Sequence, residues 1–318
     1  MTAPVGPPRK EAGASEAAAR LTVLEVIRRS AAYLEEKGTP EPRLDAEHLL
    51  AGTLGVSRLE LYLQHDRPLT PSEVEGVRER LRARGRREPL QYVLESAPFR
   101  GLELRVDRRV LIPRPETEVL VDEVLEWVSG QDEGSELEAL EVGTGSGAVA
   151  LALAVEGPFR RVVATDVSGG ALAVARANAR AAGIQRVEFR EGSLLEPILR
   201  DERFHVLVSN PPYVALQDYG ELQPEVREWE PREALVSGPE GTEVLDALVS
   251  GAARALRPGG LLALEVGEGQ AGHVLDRIEA TMGLGGGRVR PDLSGRERFV
   301  LAEARGSDGA TERVSHKP

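Results

Sequence analysis

The sequence contains no cysteine. This absence excludes disulfide bonds, thiolate metal ligands and a cysteine nucleophile, and it makes the cytoplasm the expected compartment. No apolar run reaches the roughly 18 residues that a membrane-spanning helix needs, so no membrane partner is expected.

Positive charge is also scarce, because 40 Lys and Arg residues are outnumbered by 52 Asp and Glu residues and the net charge is -12. Each phosphate contact normally needs a Lys or Arg, so stable nucleic-acid binding is not expected. The exception is the basic stretch at residues 78–87 (RERLRARGRR). Two interpretations stay open: the solvated face of a helix, or a patch that faces an RNA-bound or acidic partner.

A chain of 318 residues with 41% hydrophobic residues is long enough for two domains, and a monomer is the default expectation. The patterns along the chain predict five segments. They are a disordered extension at 1–17, a helical domain at 18–96, a β-hairpin linker at 97–113, an α/β domain at 114–305 and a disordered tail at 306–318.

Start signals for helices recur in the first of these domains. Ser57 with Glu60, and Thr70 with Glu73, have the spacing of capping boxes, in which each side chain bonds the other's backbone N–H. In the linker, apolar residues alternate up to residue 106 and resume at residue 110. This pattern predicts a hairpin that turns at residues 107–109.

Apolar strand-like runs alternate with helical stretches in the second half of the chain. The runs cover residues 137–142, 161–167, 187–190, 205–209 and 261–266. Such alternation is typical of a parallel sheet covered by helices on both faces. The final segments, around Val289 and at 297–303, are predicted to form an antiparallel edge pair.

A glycine-rich turn follows the first of these strands, at residues 141–147 (EVGTGSG). Glycines let the backbone pass close to a ligand and aim N–H groups at it. The spacing G-x-G-x-G differs from that of pyrophosphate-binding turns. Asp166 ends the next strand, where a carboxylate can accept both hydroxyls of a ribose. The two features predict a nucleoside site, without deciding between NAD and S-adenosylmethionine.

The segment Asn210-Pro-Pro-Tyr213 decides between them. It follows an apolar strand, and its two prolines stiffen the backbone so that the Asn210 amide and the Pro211 carbonyl are held as hydrogen-bond acceptors. Two such acceptors orient the delocalised lone pair of an amide or ring amino nitrogen, and Tyr213 offers an aromatic face to a sulfonium or to the substrate. This chemistry predicts methyl transfer from S-adenosylmethionine to nitrogen, with no metal.

A further cluster, residues 112–118 (IPRPETE), stands at the entry to a predicted helix. Its glutamates suit the positive end of that helix. Arg114 lies between two prolines, which indicates that its charged side chain is being positioned.

In combination, these motifs resemble the release factor glutamine methyltransferases of the HemK or PrmC type. The resemblance also draws on residues 88–92, 99–102, 230–235 and 292–295 and covers about residues 21–304. It implies a Rossmann-like, class I methyltransferase domain with a seven-stranded, mostly parallel sheet and an antiparallel edge. It further implies a helical domain that helps recognise peptide chain release factors, and methylation of the glutamine in their Gly-Gly-Gln motif, with S-adenosyl-L-homocysteine as product.

The resemblance assigns site residues by position. Those implied to bind the cofactor are Gly143, Thr144, Gly145, Ser146, Gly147, Asp166, Leu194 and Asn210. Those implied in catalysis and glutamine binding are Asn210, Pro211, Pro212 and Tyr213, with Arg114 and Glu116 assigned to substrate binding. One departure is at Ser193-Leu194, where relatives tend to have an acidic residue and an aromatic one beside the adenine.

Three alternative functions fit the motifs less well. An adenine-N6 DNA or RNA methyltransferase shares the Asn-Pro-Pro-Tyr segment but does not suit the acidic charge. A non-catalytic adaptor that binds S-adenosylmethionine has no use for a pair of acceptors. A dehydrogenase needs a different glycine spacing.

Overall fold

The computed structural model describes residues 21–131 and 136–306, and the chain divides into two compact units, residues 1–87 and 88–318. The predicted extension at 1–17 and, from residue 307, the predicted tail lie outside the described residues. Within them, no helix is both long enough and apolar enough to cross a bilayer. The domain boundaries given above stay predictions.

The first unit consists of helices: α1 (Val23–Glu36), α2 (Pro42–Leu54), α3 (Arg58–Leu63) and α4 (Pro71–Gly85). Both predicted capping boxes are confirmed, at Ser57 with Glu60 before α3 and at Thr70 with Glu73 before α4. The buried faces of the helices form one apolar core, which includes Val23, Val26, Ile27, Leu50, Leu61, Leu69 and Val77.

Two arginines of the basic stretch form contacts within this unit. Arg84 on α4 is buried and its Nε lies 2.7 Å from Oδ2 of Asp45 on α2. Arg80 donates to the Thr53 hydroxyl at 3.0 Å. A buried charge needs such a partner, because burial removes its water. The idea that the remaining arginines face a partner stays a prediction.

The second unit begins with α5 (Leu90–Leu94) and the strands β1 (Ser96–Phe99) and β2 (Leu102–Arg105). The elements that follow are α6 (Pro115–Ser129), β3 (Leu137–Val142), α7 (Ala148–Glu156), β4 (Phe159–Asp166), α8 (Gly169–Ala181), β5 (Val187–Glu191), β6 (Phe204–Ser209), β7 (Val214–Ala215), α9 (Pro224–Arg227), β8 (Val236–Gly238), α10 (Glu243–Ala255), β9 (Leu256–Glu265), α11 (Ala271–Ala280), β10 (Leu284–Pro291) and β11 (Glu297–Ala304). Two short 3-10 turns, Asp218–Glu221 and Arg232–Ala234, flank α9.

Seven of the described strands form one sheet in the order β10-β11-β9-β6-β3-β4-β5. The neighbouring pairs among β9, β6, β3, β4 and β5 are parallel. The strand β11 pairs antiparallel with both β9 and β10. Successive side chains point to opposite faces, so Ala139 joins one apolar core and Leu140 the other. The predicted sheet and its antiparallel edge pair are confirmed.

The prediction for the hairpin was wrong in its turn. The strands β1 and β2 pair through a turn at Arg100 and Gly101, not at residues 107–109. Arg100 has a φ of 50° and is held there because its backbone N–H donates to Glu118 at 2.9 Å. Val110 and Ile112 are apolar because they are buried in a small separate core, not because they form a strand.

Candidate active site

A cavity of about 320 Å³ opens at the carboxyl ends of β3, β4 and β6. The chain continues from β3 to β4 on one side and reaches β6 on the other side, and ligands of open α/β sheets bind at such a reversal. The predicted site residues that line the cavity are Gly143, Gly145, Asp166, Leu194, Asn210, Pro211 and Pro212.

The glycine turn faces this cavity with its backbone. Gly143 and Gly145 have φ values of 77° and 54°, which side-chain-bearing residues rarely adopt. Nothing lies within 4 Å of the position that a Cβ would take at either residue. The open space in front of the two glycines therefore suits a ligand in close contact with the backbone.

The other three residues of the turn that were assigned to the cofactor, Thr144, Ser146 and Gly147, lie outside the cavity lining. The Thr144 hydroxyl donates to the carboxyl of Glu141 at 2.5 Å. The Ser146 carbonyl accepts from Nδ2 of Asn178 at 2.9 Å, and the same amide group exchanges hydrogen bonds with the backbone of Arg105 on β2. Gly147 packs on α8. The contacts of these three residues therefore stabilise the turn on the side away from the cavity.

Asp166 closes the cavity at the end of β4. Its Oδ2 accepts the Gly145 N–H at 2.8 Å and its Oδ1 accepts the Ser168 N–H at 2.9 Å. Burial raises the pKa of Asp166 above its usual range, and the nearby Glu233 carboxylate adds to the effect. Each oxygen keeps a further lone pair, so the carboxylate can also accept the hydroxyls of a ribose.

Ser193 and Leu194 line the cavity beyond the end of β5. Leu194 has a φ of 50°, an uncommon conformation for a residue with a side chain. Non-glycine residues in this conformation cluster at ligand sites, where the surrounding structure holds them. The assignment of Leu194 to the base stays a prediction.

The Asn210 side chain is anchored on one side only. Its Nδ2 donates to the Thr117 hydroxyl at 3.0 Å, and that hydroxyl donates to Oε2 of Glu265 at 2.7 Å. In the described part of the chain, nothing donates to Oδ1 of Asn210. Ser209 fixes the loop, since its hydroxyl donates to the Val142 carbonyl at 2.7 Å.

Comparison with known proteins gives the family. The PrmC N-terminal domain matches residues 25–94, and the methyltransferase domain family matches residues 139–229. A release factor glutamine methyltransferase from Geobacter sulfurreducens is 44% identical over 260 residues, which cover 82% of this chain and 89% of that protein. One from Chlorobaculum tepidum is 45% identical over 251 residues, 77% of this chain and 85% of that protein.

The chain belongs to the release factor glutamine methyltransferase family. The family and fold predicted from the motifs are thereby confirmed, and the matched methyltransferase segment contains the glycine turn, Asp166 and the Asn-Pro-Pro-Tyr segment. The hMettl16 catalytic domain is similar in fold, with a TM-score of 0.53 and 15% identity over 71% of this chain and 82% of that chain.

Besides Thr144, Ser146 and Gly147, three more of the residues assigned to the site by resemblance lie outside the cavity lining. Tyr213 is half-buried against the second apolar core, and its carbonyl accepts from Gln270. Arg114 donates to Glu230 at 2.5 Å, and burial raises the pKa of that glutamate. Glu116 is exposed in the first turn of α6. Their roles toward substrate stay predictions.

Two glutamates at the ends of buried strands were missed by the sequence analysis as site residues. Glu141 is the second-last residue of β3, and Glu265 is the last residue of β9. Burial raises the pKa of each to about 7. The signal was a charged residue within the apolar runs LEALEV and LLALEV. Among residues 21–131 and 136–306, no group of His, Asp or Glu side chains is arranged to hold a metal ion.

Proposed function

We propose that the protein transfers a methyl group from S-adenosylmethionine to the side-chain amide nitrogen of the glutamine in the Gly-Gly-Gln motif of peptide chain release factors. The proposal rests on the family and on the chemistry that the cavity offers. Because release factors act on ribosomes, it also assigns the reaction to the cytoplasm.

The orientation of the Asn210 amide carries the proposal. Its Nδ2 is engaged by Thr117, which leaves Oδ1 as an acceptor at the cavity. Pro211 follows directly and lines the same cavity. A primary amide has two N–H groups, and the Asn210 oxygen and the Pro211 carbonyl together supply two acceptors.

The turn and Asp166 fit the nucleoside part of the cofactor. Gly143 and Gly145 leave room for close backbone contact, and Asp166 retains lone pairs for two hydroxyls. When bound, S-adenosylmethionine supplies an electrophilic methyl group on a sulfonium. The strain at Leu194 is consistent with a side chain held against the base.

Asn210 and Pro211 then perform the positioning. Holding both N–H groups of the glutamine amide orients its nitrogen toward the methyl group and stabilises the positive charge that develops on it. A single preorganised contact of this type contributes about 2.7–4 kcal/mol in oxyanion holes, which work by the same principle. Once the nitrogen has taken the methyl group, the amide carries a positive charge and is strongly acidic, so it loses one N–H proton to solvent and no dedicated base is needed.

The test is methyl transfer from labelled S-adenosylmethionine to purified full-length release factor, with duplex DNA in a parallel reaction. Mass spectrometry of the Gly-Gly-Gln peptide should find one added methyl group on the glutamine. A release factor with asparagine in place of that glutamine is the matched control and should stay unlabelled. Label in DNA would instead identify an adenine methyltransferase, and label in neither would support an adaptor.

A further inference from the structure

A buried chain of side chains runs from the end of β9 to the cavity. Glu265 is 1% exposed and Thr117, in the first turn of α6, is 5% exposed. The Thr117 hydroxyl bridges Glu265 and Asn210, at 2.7 Å and 3.0 Å. Three separate segments of the second unit thus meet at one hydroxyl group.

The number of hydrogens on these three side chains fixes which group donates in each hydrogen bond. A threonine hydroxyl has one hydrogen, and an ionised carboxylate can only accept. With Glu265 ionised, Thr117 donates to Glu265, and the Thr117 oxygen can only accept from Asn210. The group of Asn210 that faces Thr117 must then be Nδ2, so Oδ1 faces the cavity.

A protonated Glu265 removes this constraint. The carboxylic acid can donate to the Thr117 oxygen, and the Thr117 hydrogen can then point to Oδ1 of Asn210. In that arrangement Nδ2 faces the cavity, and a donor stands where the substrate amide needs an acceptor. No atom has to move far, since only protons and the rotation of one amide group change.

We propose that Thr117 and Glu265 are positioning residues, which determine that the oxygen and not the nitrogen of the Asn210 amide faces the substrate. The inference rests on the proposed function only for its consequence, methyl transfer. The orientation itself is a property of the protein alone.

The surroundings of Glu265 bring its ionisation into the neutral range. Burial, with a smaller contribution from the Glu116 carboxylate on α6, outweighs the hydrogen bond from Thr117 and raises the pKa of Glu265 to about 7. Arg298 on β11 and Arg114 before α6 also lower it. The carboxylate form therefore increases as pH rises through about 7, and the turnover number should rise with it.

The kinetic test uses three variants and a control. Thr117→Val keeps the shape but removes the hydroxyl, and it should lower kcat roughly ten- to hundredfold because the Asn210 N–H loses its buried acceptor. Thr117→Ser restores the hydroxyl and should recover kcat to within about threefold of the wild-type value. Ser129→Ala, an exposed hydroxyl on the same helix, is the matched control. In Glu265→Gln, the rise of kcat between pH 6 and 8 should disappear.

A merely structural role predicts something different. If the hydrogen bonds of Thr117 only stabilised the packing of α6 against β9, Thr117→Val would lower the melting temperature. It would leave kcat, KM and the pH profile of the folded enzyme unchanged. A wild-type kcat for Thr117→Val would overturn the proposal, as would an unchanged pH profile for Glu265→Gln.

A measurement without substrate separates this inference from the proposed function. The side-chain NH2 resonances of Asn210 can be assigned by their loss in Asn210→Asp. Their hydrogen exchange should be slow in the wild type and in Thr117→Ser and faster in Thr117→Val. Equal exchange in all three would refute the orienting contact, whichever substrate is methylated. Absence of methyl transfer by the wild type would instead refute only the proposed function.

Discussion

The buried carboxyl of Glu141 should make the stability of the second unit depend on pH. The Thr144 hydroxyl and the Ala150 N–H both donate to its Oε2, at 2.5 Å and 3.0 Å. Burial nevertheless dominates and raises the pKa of Glu141 from 4.5 to about 7. The folded protein thus holds this proton more tightly than the unfolded chain does.

The direction of the effect follows from proton linkage. The stabilisation by neutral Glu141 is fully present below pH 4.5 and is lost as the pH rises through about 7. One pKa unit corresponds to about 1.4 kcal/mol, so the loss amounts to roughly 3 kcal/mol. The side chain in Glu141→Gln has no proton to lose in this pH range. The free energy of unfolding of the variant relative to the wild type should therefore increase by roughly 3 kcal/mol between pH 4.5 and 8.

Urea unfolding at several pH values, followed by tryptophan fluorescence, measures this difference. Both tryptophans, Trp127 and Trp229, belong to the second unit, so the signal reports that unit. A constant destabilisation by the glutamine does not affect the slope with pH. Glu126→Gln, at an exposed position, is the control and should follow the wild-type profile. Parallel curves for Glu141→Gln and the wild type would refute the reasoning.

Three further predictions concern the site. Asn210→Ala should abolish most methyl transfer while S-adenosylmethionine binding, measured by calorimetry, is weakened but detectable; near-normal methylation would contradict the role of the acceptor. Gly145→Ala should weaken the same binding roughly tenfold, because a Cβ at this φ costs about 1–2 kcal/mol and protrudes into the cavity. Gly183→Ala, at a φ of 69° but on the surface, should affect stability alone. Arg114→Met should lower the free energy of unfolding by about 1–3 kcal/mol, because it removes a partner of the buried Glu230, and an unchanged urea midpoint would argue against that pair.

The sequence predicts most of the framework because local patterns dictate it. The runs 137–142 and 205–209 are mostly apolar, and each is a central parallel strand. The capping boxes are equally local, since Ser57 and Glu60 need only each other. The parallel sheet and its antiparallel edge follow from such signals.

What the sequence did not predict depends on contacts between distant segments. Val110 was expected in a strand because it is apolar, but its burial is against residues such as Val174, which only the tertiary structure brings near. The connection of Thr117 to Glu265 joins residues 148 positions apart. A carboxyl at the end of an apolar strand indicates a buried charge, yet its partner cannot be read from spacing alone.

One side chain links the hairpin of β1 and β2 to the glycine turn. Asn178 uses its amide oxygen for the Arg105 N–H and its amide nitrogen for the carbonyls of Arg105 and Ser146. Because hydrogen bonds weaken steeply as their geometry is distorted, neither the hairpin nor the turn can shift alone without breaking this junction. The hairpin and the loop that faces the cavity are therefore expected to move together.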